Sequence, residues 1–494
     1  MLTINHEAEA SLQVQVFDQI RDLILCGRLR AGMALPSSRA LANQLGVSRN
    51  TIMFAYERLA AEGYTASRGT AGMFVTSIPP DDLLLVRNLK DELVPTDDIE
   101  NQSSDPLLCF AGSPGGEVNR PAFDFWVGRS AAGAFPLKTW RRIVGGILSA
   151  SDGPRYLTDY CDPAGLPELR KAISDRLARS RGMDVSTDQI IVTTGGQDAL
   201  NLILRVLRNH TRRLCIENPC YIGASLLFQQ EELPIEPIPV DDEGIRVDLL
   251  PNKRRNLLFV TPSHQFPTGV MMSLSRRLAL LKWAEETESF IIEDDYDSEF
   301  RYNGPPLTAL SGLDRGRRVF YVGSFSKSVG AGVRLGFTVL PRSFWNDARV
   351  SKAHMSNGQS WLEQKALAEF INEGHFDRHV RKLSQIYKAR RDVLIEALKG
   401  HFGDPKITGQ DSGLHFVWHL PEGIGSGQII QEKARSIGIG IYSLASGAAF
   451  DFSGEPPGNM VMLGYSSLTE SEICQAIARL SDLLRDQGIL SLEK

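Results

Sequence analysis

The sequence predicts two folded domains of different classes, a small, mostly helical domain followed by a large α/β domain. At 494 residues the chain exceeds what one hydrophobic core usually organises. Residues 11–62 contain three segments with helical hydrophobic spacing. From about residue 108 onward, short apolar runs alternate with longer amphipathic segments, the pattern of a parallel sheet covered by helices. Residues 79–107 are acidic, contain prolines and predict a linker, so the expected domains are 1–78 and 108–494.

The composition favours a globular protein of a reducing compartment. Hydrophobic residues make up 42% of the chain and charged residues 23%. No apolar run approaches the roughly 18 residues of a membrane span, and the first residues carry no export signal. Six cysteines are scattered without a CxxC pair, which argues against a disulfide framework or a zinc site. We therefore expect a cytoplasmic protein. The net charge of −5 argues against a general nucleic-acid coat protein but allows a local DNA-binding patch.

The N-terminal domain is predicted to contain three helices and a hairpin. The helices cover about residues 12–25, 39–45 and 49–62. Ser37 or Ser38 can cap the second helix, Gly46 ends it, and Ser48 can cap the third. Residues 64–75 then predict a β-hairpin with a glycine-rich tip.

Two helices joined by a short glycine-containing turn form a helix-turn-helix, whose second helix enters the major groove of DNA by its N-terminus. This places Arg49, Asn50 and Thr51 at the groove. Arginine can pair with guanine and asparagine with adenine, while Ser48 or Thr51 can bond a phosphate. The hairpin would then be a wing that approaches a phosphate or the minor groove. The alternative is a three-helix packing module without a nucleic-acid role.

Three sequence motifs of this domain are specific to one family. Leu35–Ala42 (LPSSRALA), Leu45–Thr51 (LGVSRNT) and Glu62–Tyr64 (EGY) resemble the winged helix-turn-helix of GntR-type bacterial regulators. The resemblance covers residues 11–76 and implies operator contacts through matching residues of the reading helix and wing. The predicted DNA contacts are Arg39, Ser48, Arg49, Asn50, Thr51, Arg68 and Gly69.

In the large domain, five short apolar runs predict buried strands. They lie at residues 190–193, 213–216, 257–260, 290–293 and 319–322. Helical segments such as 197–207 and 275–287 separate several of them. Folds of this kind bind ligands at the carboxyl ends of their strands. The polar motifs of this domain follow these runs directly.

Two of these motifs suit a flat, phosphorylated ligand. Thr194–Asp198 (TGGQD) opens a helix, and unobstructed N–H groups at a helix start can hold a phosphate. Gly-Gly turns before helices are nevertheless common. Tyr221 follows the second run and could lie over a flat ring, although an isolated tyrosine belongs more often to the core.

The other two motifs carry charge. Glu293–Asp297 (EDDYD) crowds carboxylates together, which is costly unless a cation or a protonated ring nitrogen partners one of them. A metal site is the competing interpretation, but no histidine lies nearby in the sequence to complete it. Ser324–Lys327 (SFSK), with Arg334, offers two hydroxyls and a guanidinium for a phosphate. Its lysine could form a Schiff base if its pKa falls; a surface lysine on a serine loop is the alternative.

Together the four motifs describe a site for pyridoxal 5'-phosphate (PLP). Their order, and Ser263–Gly269 (SHQFPTG) between them, resembles class I aminotransferases of fold type I from about Phe123 to the C-terminus. By that resemblance Lys327 forms the Schiff base with PLP, and Asp294 pairs with the ring nitrogen. Tyr296 would bond the phenolic oxygen, and Tyr221 would stack on the ring. The phosphate would be held by Gly196, Gln197, Ser324, Ser326 and Arg334, with Tyr160 expected to reach the phosphate of a partner subunit.

Both halves in this order resemble the MocR subfamily of GntR regulators, and the departures from working aminotransferases fit that subfamily. Phe266 replaces the usual asparagine, and the spacings Asp294 to Tyr296 and Lys327 to Arg334 are each one residue shorter. Met462 stands where aminotransferases place the arginine that grips the substrate carboxylate. Losing a bidentate clamp removes orientation as well as affinity. The sequence therefore predicts cofactor binding without efficient turnover.

The resulting hypothesis is a PLP-dependent transcriptional regulator that senses an amine or amino-acid-type effector at Lys327. The resemblance implies a head-to-tail homodimer that binds operator DNA. Two alternatives stay open: a regulator that senses PLP itself, and a true class I aminotransferase with a self-regulatory DNA module. We expect no metal. The sequence names neither the effector nor the operator.

Overall fold

The computed structural model describes residues 2–5, 10–69, 72–76, 120–151, 153–304, 307–454 and 458–489. The predicted linker at 79–107 lies outside these residues, so both of its boundaries with the domains stay predictions. The chain divides into two compact units, Met1–Asp105 and Pro106–Lys494.

The first unit contains the predicted helix-turn-helix and hairpin. Its helices are Leu12–Leu25, Ser38–Leu45 and Arg49–Ala61, and its strands are β1, Thr65–Ser67, and β2, Met73–Val75. Ser37 caps the second helix by accepting from the Ala40 N–H at 3.2 Å, and Ser48 caps the third by accepting from the Thr51 N–H at 3.1 Å. Gly46 ends the second helix in the left-handed region. Ile52, Ala55, Tyr56 and Leu59 of the third helix are buried in this unit's core.

An eight-stranded sheet organises the second unit. Its strands are β4 (Ile190–Thr193), β5 (Arg213–Asn218), β7 (Ile235–Asp241), β8 (Gly244–Ile245), β9 (Asn256–Val260), β10 (Phe290–Asp295), β11 (Val319–Ser324) and β12 (Gly336–Val339). The order is β4-β12-β11-β10-β9-β5-β7-β8. All five predicted strands are present.

The sheet is mixed rather than wholly parallel. β9, β10 and β11 are parallel neighbours, but β12 runs antiparallel between β4 and β11, and β8 runs antiparallel to β7. A π-helical turn, Ser326–Gly330, and a 3-10 turn, Ala331–Val333, connect β11 to β12. Because this connection is too short for a crossover helix to return the chain, β12 reverses direction.

Helices cover the sheet on both faces and bury separate apolar cores against it. The helices of the described part of the second unit are Leu137–Ser149, Gly153–Thr158, Pro167–Arg181, Gly196–Leu207, Ile222–Gln229, Leu274–Glu286, Leu310–Asp314, Trp345–Ser356, Trp361–Asn372, His375–Phe402, Gly427–Ser436 and Glu470–Asp486. None of the helices in the described part of the chain is long and apolar enough to cross a membrane.

A second, antiparallel sheet lies in the C-terminal part of this unit. It contains β13 (Lys406–Thr408), β14 (His415–His419), β16 (Tyr442–Ser443) and β18 (Met460–Gly464), in the order β13-β14-β18-β16. The two-stranded pairs are β3 (Phe123–Asp124) with β15 (Ile439–Gly440), and β6 (Cys220–Tyr221) with β17 (Ala449–Phe450). The β6–β17 pair joins the Tyr221 segment to the C-terminal part of the unit.

Candidate functional site

Lys327 lies in the first turn after β11, at the carboxyl end of the parallel strands. Its Nζ donates a hydrogen bond to the carbonyl oxygen of Gly128 at 2.6 Å. Gly128 has φ +82°, and a Cβ there would lie 2.6 Å from the Lys327 Nζ. Only glycine therefore leaves room for the lysine at this point.

Burial around Lys327 favours its neutral amine. Burial lowers the pKa of Lys327, and the nearby Asp297 and Asp294 carboxylates partly offset that effect. Burial also raises the pKa of Asp294 to about 7, reinforced by Asp295 and Asp297. Asp294 is costly to ionise without a cationic partner, so a protonated ring nitrogen beside it would gain a strong interaction.

The carboxylates of the Glu293–Asp297 motif face in different directions. Glu293 accepts from the N–H groups of Leu310 and Ser311, both at 2.8 Å, at the start of a short helix. Asp295 forms an ion pair with Arg181 at 2.8 Å on a side chain that is fully buried. Asp294 and Asp297 are the two that act on Lys327. The predicted crowding is therefore relieved by distributing the carboxylates among three environments.

The glycine turn after β4 and the serines at the end of β11 lie next to each other because β12 pairs with both strands. Gly336 of β12 pairs with Thr193 on one side and with Ser324 on the other. Ser324 Oγ donates to Ser326 Oγ at 3.0 Å and accepts from the Ser326 N–H at 3.1 Å. One row of the sheet thus brings both halves of the predicted phosphate site together.

Arg334 lies beside the glycine turn and completes the predicted phosphate site. A Cβ at Gly195 would lie 3.7 Å from the Arg334 guanidinium nitrogens, so the absence of a side chain leaves open the space between them. The helix that begins at Gly196 directs its unpaired N–H groups into the same region. A guanidinium beside a helix N-terminus is a strong combination for a phosphate.

A buried ion pair fixes the glycine turn, and sequence reasoning missed it. The Asp198 carboxylate accepts from the Thr194 N–H at 2.7 Å and from Lys352 Nζ at 2.6 Å. The Lys352 side chain is fully buried. The Thr194 hydroxyl bonds the Gln359 side chain at 2.6 Å. Lys352 lies in a helix more than 150 residues after Asp198, so no local sequence pattern predicts this ion pair.

The Gln197 side chain does not face the phosphate corner. Its Nε2 donates to the Gly223 carbonyl oxygen at 2.9 Å, so the side-chain amide is engaged with that segment while the backbone N–H lies in the glycine turn. The Tyr221 ring folds back over Gly223, where a Cβ would lie 2.5 Å from the ring. Tyr221 also meets the Phe266 ring edge-on, with centroids 6.1 Å apart. Gln197 therefore supports the segment that orients Tyr221.

Tyr296 contacts a pair of histidines that sequence reasoning did not identify. Its hydroxyl lies 3.1 Å from Nδ1 of His264, and the same nitrogen lies 2.9 Å from Asp297 Oδ2. His415 of β14 packs against His264, with ring centroids 4.8 Å apart. Potential ligand atoms of His264, Asp297 and His415 lie within 4.8 Å of one another. The fold thus supplies the histidines that are absent from the sequence neighbourhood of the acidic motif.

The position expected to hold a substrate-gripping arginine lies in an apolar wall. Met462 is 1% exposed and sits in β18 opposite Val417 of β14. Its cluster also contains Val127, Phe266, Leu444 and Ala449, with Tyr221 and Tyr296 packed against it. This wall borders the same pocket as the two tyrosines.

Tyr160 differs from the other predicted cofactor residues in its exposure to solvent. Its side chain is 88% exposed. Exposed apolar side chains of the same segment are Leu137, Leu148, Tyr156 and Leu157. A role for Tyr160 in the phosphate site would require a second subunit.

The predicted DNA-contacting residues are mostly exposed. Arg39, Ser48, Arg49, Asn50, Arg68 and Gly69 all face solvent. Thr51 is 9% exposed and its hydroxyl lies 2.8 Å from the Ser48 hydroxyl, so it completes the helix cap instead of projecting outward. The exposed face of the helix also carries Met53 and Phe54, which are 39% and 55% exposed and were not predicted.

Comparison with known proteins agrees with this geometry. Residues 12–75 match the family described as bacterial regulatory proteins, gntR family. Residues 144–434 match the family described as aminotransferase class I and II. The protein is thus a transcriptional regulator that joins a helix-turn-helix to an aminotransferase-like domain of fold type I.

Relatives that contain both domains define the class of regulator more closely. The HTH-type regulator YdeL of Bacillus subtilis is 34% identical over 97% of both chains. MocR of Rhizobium meliloti, a probable rhizopine catabolism regulatory protein, is 31% identical over 100% of this chain and 98% of its own. PdxR of Corynebacterium glutamicum, a pyridoxine biosynthesis regulator, is 30% identical over 97% and 98%. The chain belongs to the MocR type of GntR regulators.

A solved structure resembles the large unit. Pyrococcus horikoshii kynurenine aminotransferase is 27% identical and covers 80% of this chain and 99% of its own, with a TM-score of 0.68. Proteins of this class use PLP, and the residues here fit that group. The open corner between Gly195 and Arg334 suits its phosphate. Lys327 and Asp294 offer an amine and a carboxyl on the same pocket.

Proposed function

We propose that this protein is a PLP-dependent, DNA-binding transcriptional regulator whose aminotransferase-like domain senses an amine or amino-acid-type effector at Lys327. One observation carries the proposal. The amine of Lys327 is held at the carboxyl end of the parallel strands, 2.6 Å from the carbonyl oxygen of Gly128, on the same chain as the exposed third helix of the helix-turn-helix. Regulators of the MocR type combine these two sites, and coupling between them is the simplest reason for one chain to hold both.

Different residues of the pocket would contact different parts of PLP. Gly196, Ser324, Ser326 and Arg334 would hold its phosphate, while Asp294 would face its ring nitrogen and Tyr221 its ring. The backbone N–H of Gln197 would add a phosphate contact. When bound, PLP supplies an aldehyde that combines reversibly with primary amines. The lowered pKa of Lys327 increases the neutral fraction of its amine, the form that reacts with that aldehyde.

The apolar wall supports sensing rather than turnover. A working aminotransferase must orient its substrate, and a guanidinium that grips a carboxylate in two places supplies that orientation. Met462 gives no such grip, because its neighbours are Val127, Phe266 and Leu444. A bound amine would be retained without being aligned for proton transfer, which suits a receptor.

Signal transfer would follow from a population shift. An effector that fits one conformation of the large unit better than another increases the population of that conformation. The exposed apolar side chains around Tyr160 support a homodimer, which aminotransferase-fold proteins typically form. Two reading helices carried by one dimer would then be repositioned on the two halves of an operator.

A second candidate is a regulator that senses PLP itself. The relative PdxR is a regulator of pyridoxine biosynthesis. The apolar wall at Met462 favours this candidate too, because it offers no anchor for the carboxylate of an amino acid. In this case cofactor binding alone would change the affinity for DNA.

Visible absorbance of the purified full chain distinguishes these functions. Titration with PLP should give a visible band in the wild type and in the control Lys282→Ala, whose lysine is exposed on a helix. Lys327→Ala should lose the band. A panel of primary amines and amino acids then follows. A lasting spectral change without keto acid release supports an effector sensor, and a silent panel supports PLP as the signal. Stoichiometric keto acid release, or no band in the wild type, would overturn the proposal.

A further inference from the structure

No side chain of the described residues caps the start of the helix Gly196–Leu207, and an acid lies in its first turn. The N-cap is Gly195, and the Ala199 N–H donates to its carbonyl oxygen at 3.2 Å. The N–H groups before Ala199 are therefore the ones that a phosphate would use. Asp198 is the third residue of the same turn, so its negative charge would oppose a phosphate at this helix end.

The Oδ2 atom of Asp198 reaches back across the glycine turn. It accepts from the Thr194 N–H at 2.7 Å, two residues before the helix begins. Lys352 Nζ donates to the same oxygen at 2.6 Å, and Gln359 Nε2 donates to it at 3.4 Å. The Thr194 hydroxyl donates to the Gln359 side-chain oxygen at 2.6 Å, which closes the network. Three donors thus hold one carboxylate oxygen.

Lys352 supplies the positive charge of this network. Its side chain is fully buried, and the Asp198 side chain is 18% exposed. A charge removed from water needs a partner, and this pair has no net charge. The Trp345–Ser356 helix that carries Lys352 packs through Ala348 into the apolar core that also contains Leu200. That packing fixes the backbone from which the lysine reaches the turn.

We propose that Lys352 is a positioning residue that sets the preference of the pocket for a phosphorylated ligand. It neutralises Asp198 and holds that carboxylate against Thr194, which leaves the helix start and the Arg334 guanidinium to the phosphate. A Cβ at Gly195 would lie 3.7 Å from the guanidinium nitrogens of Arg334, so the turn that Asp198 holds also borders the arginine. The inference rests on the proposed function, in which the phosphate of PLP lies between Gly195 and Arg334.

The alternative is a purely structural role, in which Lys352 only joins two helices. The two roles differ in their effect on a ligand that has no phosphate. Loss of a structural tie would weaken the binding of phosphorylated and phosphate-free ligands alike. An unpaired Asp198 carboxylate would act chiefly on the phosphate, since Coulomb repulsion grows with the charge of the ligand and falls with distance.

The affinities of the full chain for PLP and for pyridoxal, which lacks the phosphate, separate these roles. Visible absorbance titrations give both dissociation constants, and urea unfolding shows whether each variant is folded. Lys352→Met should lower the PLP affinity by at least about tenfold relative to the pyridoxal affinity, because it leaves Asp198 unpaired. The control Lys171→Met breaks an exposed ion pair and should leave the ratio unchanged. Lys352→Met/Asp198→Asn removes both charges and should restore most of the ratio.

Equal losses of both affinities in Lys352→Met, or a ratio that the added Asp198→Asn does not restore, would overturn the inference. If Lys352→Met does not fold, Asp198→Asn alone decides. It keeps a side-chain oxygen for the Thr194 N–H and removes the negative charge, so the preference for PLP should equal or exceed that of the wild type. A weaker preference would contradict the role of Lys352. A wild type without a visible band after PLP addition would instead overturn the proposed function, and this inference with it.

Discussion

Replacing Gly128 by alanine tests the geometry of the Lys327 pocket with one methyl group. Two costs can be worked from the structure. The φ of +82° is strained for alanine by about 1–2 kcal/mol, which should lower the free energy of unfolding. The new Cβ would lie 2.6 Å from the Lys327 Nζ, so the amine must move by roughly 1 Å. That movement breaks the hydrogen bond to the Gly128 carbonyl and misplaces the amine, at a further cost of about 1–3 kcal/mol.

The second cost falls on PLP binding and the first on folding, so the two can be measured separately. We expect the PLP affinity of Gly128→Ala, from the visible absorbance titration, to fall about tenfold or more. Gly133→Ala is the matched control, since Gly133 lies five residues away with no heavy atom within 4 Å of its Cβ position. Wild-type PLP affinity in Gly128→Ala would refute the placement of Lys327 against Gly128.

Three further predictions concern other parts of the chain. Lys352→Met leaves Asp198 without its buried partner and should lower the free energy of unfolding in urea by about 3–5 kcal/mol. The control Lys171→Met removes an exposed ion pair and should lower it by less than about 1 kcal/mol. Equal losses in the two variants would contradict this prediction. Phe54→Ala should leave the free energy of unfolding nearly unchanged, because the ring is 55% exposed. It should weaken binding to DNA selected from a random pool, since the ring is placed to contact thymine methyl groups. An unchanged DNA affinity in fluorescence anisotropy titrations would exclude that contact. Burial raises the pKa of Glu217 from 4.5 to about 7, and the pKa of Asp294 is raised to about the same value. Between these pH values the folded state binds more protons, so the unfolding free energy of PLP-free protein should fall as pH rises, with up to about 3 kcal/mol from Glu217. Glu217→Gln should reduce this slope, and an unchanged slope would assign the whole effect to other groups.

Local signals explain why much of the fold could be predicted. The third helix of the first unit begins after Ser48, and the second ends at Gly46, because caps and left-handed glycines are read from a few neighbouring residues. The buried strands β4 and β11 are uninterrupted apolar runs. β12 was not identified, since its sequence, Gly336–Val339, is short and its direction depends on the length of the connection from β11.

The candidate site was less accessible to sequence reasoning, because it is assembled from distant segments. Lys327 and Asp294 could be proposed from motifs that follow strands directly. His264 and His415 come from loops and strands far from the acidic motif, and only the folded chain places them beside Asp297. Gln197 was predicted as a phosphate residue from its place in the glycine turn, but the hydrogen bond of its side chain to Gly223 depends on the position of a neighbouring helix.

The measurement that tests the central claim most directly is the affinity of the full chain for a DNA fragment selected from a random pool. It should be made without PLP, with PLP, and with PLP plus any amine that changes the visible spectrum, in the wild type and in Lys327→Ala. A coupling free energy of about 1–3 kcal/mol predicts a change of roughly 5- to 150-fold in at least one of these steps for the wild type. Lys327→Ala should show no response to the amine. Equal affinities of the wild type in all three conditions would contradict a regulator that reads its pocket through DNA binding.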